Sequence, residues 1–250
     1  MKELVQCWQH TRMIVLIGFC AAMFIAALLP TKPVTIIPGI TEIRPGAVVP
    51  IVLSIFFGPA AAWGAAFGNT IGDVMGGTIS PGTLFGFFGN LVYAYVPYRV
   101  FRMAGILPDD RPSAKFWGAL FFSILLASGL CAGIISTGAD AVGVAPLVLL
   151  WHAIFLNNSI FSIILAPVLI LFLRKRIWQM KLSYLQVMQP EEISMPFLRL
   201  AGPLLVLFLV IAAYVLLIVS GLPATFAVKN MKAFELIVSV SLTLAALLFL

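Results

Sequence analysis

The chain is a succession of apolar runs of bilayer length, separated by short stretches rich in glycine and proline. The first, residues 13–29, reads MIVLIGFCAAMFIAALL and carries no charge. About 20 consecutive apolar residues cross the hydrocarbon core as a helix. Inside lipid the backbone must satisfy its own hydrogen bonds, which leaves only helices and closed barrels. The alternation of a transmembrane barrel strand is absent. Composition agrees: 62% of residues are hydrophobic and 10% charged. The mean hydropathy is +1.12, and a soluble domain of 250 residues has no means of hiding that much apolar surface. The sequence therefore predicts an all-α, polytopic helical membrane protein. The first run lacks an A-x-A cleavage site and is followed by many more, so it reads as an anchor rather than a signal peptide.

Eight spans are expected, at 13–29, 46–57, 60–78, 81–103, 115–137, 146–173, 198–220 and 233–250. The second is short, and Gly58-Pro59 ends it and starts the third, since proline fits the first turn of a helix. GGTISPG at 76–82 makes the turn on the opposite side. Lys and Arg concentrate on the side holding Arg12, Arg99, Arg111, Lys115 and the Arg174–Arg176 run. Lys32, Arg44, Lys229 and Lys232 fall on the other side, so the N-terminus is predicted to be cytoplasmic. Residues 1–176 form the expected six-helix membrane domain and 198–250 a C-terminal pair of helices. Residues 177–197 read as a cytoplasmic or interfacial linker, within a polar stretch whose basic residues and Trp178 suit the headgroup boundary. The chain ends at Leu250 within an apolar run, which suits a last span ending at the surface or a longer parent chain.

Within this apolar frame, residues 65–77, AAFGNTIGDVMGG, stand out for Asn69 and Asp73. Gly64, Gly68, Gly72 and Gly76 recur every four residues, a helix-packing stripe that lets another helix approach closely. We expect that approach to join segments three and four. An Asp at the bilayer centre costs roughly 2.5–3.5 kcal/mol on insertion scales, so such residues face the protein interior or a wet cavity. Asn69 and Asp73 are accordingly expected to line a polar cavity, with interhelical hydrogen bonding as the plainer role. Further ligand-contact candidates on the outer side are Glu42 and Arg44 in the proline-stiffened loop 31–46, which is long enough to act as a lid. Asn90, Asp140, Trp151, His152, and Asn158 next to Asn157 complete the set. An aromatic beside hydrogen-bonding groups suits a polar ring, although Trp151 equally suits an interfacial belt.

Other chemistries find little support. No phosphate-binding G-x-x-x-x-G-K-[ST] loop is present. No G-x-S-x-G nucleophile motif occurs, so no catalytic residue is assigned. Cys7, Cys20 and Cys131 have no metal-ligand or disulfide spacing, and no metal or cofactor is expected. The net charge of +6 suits cytoplasmic loops of a membrane protein rather than nucleic acid.

The run EIRPGAVVPIVLSIFFGPAAAWGAAFGNTIGDVMGG resembles the substrate-binding membrane subunits, or S components, of energy-coupling factor transporters. The likeness rests on Arg44-Pro45 opening a short second helix, the Phe57-Gly58-Pro59 turn, and the glycine-rich third helix ending at Asp73. It covers residues 12–176. The resemblance implies a subunit of the prokaryotic cytoplasmic (inner) membrane that binds a vitamin-like micronutrient from outside. It further implies a membrane coupling subunit and ATP-binding subunits as partners. Gly18, Ala22 and Ala26, spaced by four on the first helix, match the face through which the family contacts the coupling subunit. S components end after six helices, whereas this chain adds two. The addition leaves open a membrane-embedded sensing or anchoring module of a signalling protein, or a stand-alone secondary carrier.

Overall fold

A computed structural model describes residues 2–37 and 41–188 of the chain. The expected spans 198–220 and 233–250, and the end of the linker, lie outside the described residues. A short helix α1 (Lys2–Gln6) precedes six longer ones: α2 (Thr11–Leu28), α3 (Val48–Phe57), α4 (Pro59–Met75), α5 (Gly82–Met103), α6 (Ala114–Ala141) and α7 (Leu147–Gln179). Between α2 and α3 the predicted loop forms a small antiparallel hairpin, β1 (Thr35–Ile37) with β2 (Thr41–Glu42). One helical turn, α8 (Tyr184–Val187), closes the described part.

Among the described residues, three stretches are long and apolar enough to cross a membrane alone: Thr11–Thr31, Ala114–Ala141 and Leu147–Val187. The other three bundle helices differ for physical reasons. Helix α3 has 10 residues, nine of them buried, and occupies the middle of the bundle. Helices α4 and α5 are shielded by neighbours, which permits their Asn, Asp, Arg and Gly content. Lipid-facing apolar side chains appear where a bilayer would meet the bundle, as with Val15, Phe19 and Met23 on α2 and Ile164, Val168 and Phe172 on α7.

The glycine stripe of α4 meets α2, not α5, which corrects the expected pairing of segments three and four through these glycines. A Cβ on Gly64 would collide with the Cβ of Cys20, and one on Gly68 would lie 3.1 Å from the Ala21 carbonyl oxygen. The α4–α5 contact instead uses Gly86, where an added Cβ would sit 2.7 Å from Asn69 Nδ2. The corner between α3 and α4 is Gly58 at φ +53°, a left-handed conformation that a side chain resists. A Cβ added there would also lie 3.0 to 3.2 Å from the rings of Tyr98 and Tyr184. In α5, Pro97 interrupts the helix ladder, and Ser54 Oγ of α3 accepts the Tyr98 N–H at 3.0 Å.

At the end of the bundle away from the hairpin, α1 is latched by buried polar groups. Tyr95 Oη donates to Glu3 at 3.1 Å, and Arg99 Nη1 lies 3.6 Å from the same carboxylate oxygen. Trp63 Nε1 donates to the Leu4 carbonyl at 2.9 Å. The basic run 174–176 continues α7, so the anticipated domain limit at 176 falls within a helix. Part of the linker folds back, placing Tyr184 edge-on to Tyr98 with ring centroids 4.9 Å apart.

The α2–α4 contact yields a direct test. Gly64→Ala is expected to lower stability by about 1–3 kcal/mol, as overpacking does, whereas Gly18→Ala, with nothing within 4 Å of its new Cβ, leaves it unchanged. Thermal unfolding of both variants in detergent checks this, and equal midpoints would remove the close approach as a source of stability.

Candidate ligand-binding site

The hairpin end of the bundle encloses a cavity of about 120 Å³. Its polar wall is built from four separate segments: Lys32 just past α2, Glu42 and Arg44 around β2, Asn69 and Asp73 on the last turns of α4, and Thr78 in the turn that follows. Ile135 and Ala139 of α6, with Val144 and Leu150, supply the apolar wall.

These charges form one network. Lys32 Nζ lies 3.0 Å from Asp73 Oδ1 and 3.7 Å from Glu42 Oε1, and donates to Thr78 Oγ1 at 2.6 Å. Arg44 Nη2 donates to the same Glu42 oxygen at 3.2 Å, and Nη1 to Asn69 Oδ1 at 3.5 Å. Asn69 Nδ2 donates to Asp73 Oδ2 at 3.3 Å, one turn along α4. Two carboxylates thus face two cations, with side chains between 9% and 20% exposed. Burial of this kind is tolerable because each carboxylate is both paired and hydrogen-bonded. One donor stays spare: Arg44 Nε is buried without a hydrogen-bond partner among the described residues.

The hairpin is clamped from α7 by Asn157. Its Oδ1 accepts the Arg44 backbone N–H at 3.1 Å, and its Nδ2 donates to the Glu42 carbonyl at 2.8 Å. One amide side chain therefore reproduces a strand-like pairing with the backbone on both sides of Ile43 and holds the two site residues in place.

Of the candidates named from sequence, Glu42, Arg44, Asn69 and Asp73 come together on the cavity wall. The others stand elsewhere. Asn90 Nδ2 donates back to the Gly86 carbonyl of its own helix at 2.8 Å. Asp140 accepts the Leu147 N–H at 3.3 Å and so caps the start of α7. Trp151 is buried and stacked on Phe155 at 4.9 Å. His152 Nδ1 lies 2.8 Å from the Val148 carbonyl, one turn back on α7. Asn158 points to Cys131 Sγ at 3.8 Å. Sequence reasoning missed Lys32 as a site residue, reading it only as an outer charge. The signal was its position at the mouth of the same lid that carries Glu42 and Arg44. It likewise favoured Asn158 over its neighbour Asn157. Among the described residues, no group of three or more His, Cys, Asp or Glu side chains is placed to hold a metal ion.

Asn157→Ala removes both clamp bonds, each worth about 0.5–1.5 kcal/mol. Amide exchange in the 31–46 segment is expected to quicken by on the order of tenfold while α5 and α6 keep their protection. Hydrogen-exchange mass spectrometry reads this, and unchanged exchange in the segment would mean that other contacts hold the hairpin.

Comparison with known proteins places this geometry in a family. No curated protein and no solved structure matches the chain. The family model described as QueT transporter matches residues 14–175, from the first turn of α2 almost to the end of α7, and therefore all of the cavity wall. That match spans well over half of the 250 residues, and the chain belongs to the QueT transporter family.

Proposed function

We propose that the chain is the membrane subunit that binds a queuosine precursor at the outer surface and passes it inward, with separate coupling and ATP-binding subunits supplying the energy. The chain is a multi-pass membrane protein and a substrate-specific transport component. The finer reading rests on the family description and on one observation: a polar cavity under a hairpin, lined by Glu42, Asp73, Lys32 and Arg44. A queuosine precursor is a substituted deazaguanine base, whose pyrimidinone edge sets N–H donors beside a carbonyl. Glu42 and Asp73 are acceptors for such donors, and the spare Arg44 Nε is a donor for such a carbonyl.

The hairpin end is proposed to face outward and the N-terminus the cytoplasm of a prokaryotic inner membrane. The support is the charge bias, since Arg12, Arg102, Arg111 and Arg174 all lie toward the opposite end. All three native cysteines are free and buried, so an introduced exposed cysteine is the reactive one. A membrane-impermeant maleimide is expected to label Ser80→Cys but not Asp110→Cys in intact cells, both positions being exposed. The reverse pattern would invert the topology.

Gly18, Ala22 and Ala26 form an exposed stripe on α2, and a Cβ on Gly18 meets nothing within 4 Å. Such a face suits a helix of another subunit. The six-helix unit would carry the ligand, and residues 198–250 would be an addition outside it.

Native mass spectrometry of the gently extracted protein tests ligand and partners together. The wild type is expected to carry a deazaguanine base and to retain coupling and ATP-binding subunits. Asp73→Leu should lose the base and keep the subunits, whereas Gly18→Leu should keep the base and lose them. A chain that travels alone, without base or subunits, would defeat the proposal.

A further inference from the structure

We propose that Lys32 is a built-in occupant of the ligand's place: its ammonium neutralises Asp73 and Glu42 and yields to a ligand that brings its own positive charge. The inference deepens the ligand reading above and rests on the cavity being the ligand site.

Three observations carry it. The Lys32 ammonium has an oxygen from Asp73, Glu42 and Thr78 in reach, at 3.0, 3.7 and 2.6 Å, a set that would suit any small ammonium group. The side chain is also the part of the wall best able to leave. Its flexible stem lies across Gly76, where an added Cβ would collide with Lys32 Cδ. Gly76, Gly77 and Ser80 are exposed, so an outward swing returns the ammonium to water. Arg44, in contrast, has its backbone held by Asn157 and its guanidinium bonded to both Glu42 and Asn69.

Charge balance completes the argument. With two carboxylates matched by two cations, an arriving ammonium would leave one positive charge in excess unless Lys32 departs. Exchange of one ammonium for another keeps both buried carboxylates compensated throughout, avoiding the heavy cost of an unpaired buried charge. A neutral ligand offers nothing to replace Lys32 and must bind with the ammonium still in place. Lys32 therefore competes with the arm of an amine-bearing base and not with the same base carrying an uncharged arm.

Two probes test this competition: a deazaguanine with an aminomethyl arm and its analogue with a neutral nitrile. Calorimetry on the purified wild type gives the reference ratio of the two affinities. In Lys32→Met the amine-to-nitrile affinity ratio should rise by on the order of tenfold, the factor a charge-assisted hydrogen bond provides. A Lys32→Met variant that leaves the ratio unchanged would overturn the proposal, as would one that weakens both probes alike, which would make Lys32 a donor to the ligand. A ligand-independent arm uses ethylammonium chloride against sodium chloride at equal ionic strength. Ethylammonium is expected to raise the thermal midpoint of Lys32→Ala and not of the wild type. No such difference would overturn the exchange whichever base binds. Stabilisation by ethylammonium with no binding of either base would instead defeat the ligand reading and leave the exchange standing.

Discussion

The approach of α4 to α2 at backbone distance is the constraint on which the site depends. Lys32 sits just beyond α2 and Asp73 on the last turns of α4, and they meet at 3.0 Å because Gly64, Gly68 and Gly76 let the helices run side by side. Larger side chains there would separate the two axes and pull the ammonium from the carboxylate. In lipid, no hydrophobic exclusion draws helices together, so packing of small residues carries that role. A stripe that looks like a scaffold device is thereby also a determinant of cavity electrostatics. The network then extends from Asp73 through Lys32 to Glu42 and Arg44, and from Arg44 back to Asn69.

The two ends of the bundle solve different problems with similar groups. At the hairpin end, charges gather around a cavity. At the other end, Glu3, Tyr95 and Arg99 close on one another and bind α1 to α5. The second cluster has the character of a clasp. Between them lies an apolar core from Phe24 and Ile51 to Leu130 and Ala166.

Much of this was legible in the sequence, for a physical reason: bilayer thickness fixes helix length, and a polar residue in an apolar run needs an interior destination. The long apolar helices and the interior placement of Asn69 and Asp73 follow from those two rules, whereas Glu42 and Arg44 stood out only as charges in a loop long enough to act as a lid. What the rules omit is which helices are neighbours. The stripe on α4 was assigned to the next helix in sequence, yet its partner is α2, because periodicity identifies a packing face and not what covers it. Lys32 escaped for a similar reason, since a lysine in a proline-rich loop reads as a solvated charge until its carboxylate, 41 residues away, is placed beside it. Asn157 and Asn158 are adjacent on a helix and point in different directions, so only the rotation of α7 decides which one reaches the hairpin.

The shortness of α3 has a consequence for the depth of the barrier beside the cavity. Ten residues rise about 15 Å, roughly half of a hydrocarbon core. Gly46, just before α3, packs on Ala27 near the end of α2, so α3 begins level with its neighbour's end, while its last residue, Phe57, meets Phe19 in the middle of α2. Farther along α3 stand Ile51, Ile55, Phe56 and Phe57, all buried, as an apolar plug about two helical turns deep. What separates the cavity from the Gly58 corner is thus one short helix held by side-chain packing, about half as deep as a hydrocarbon core.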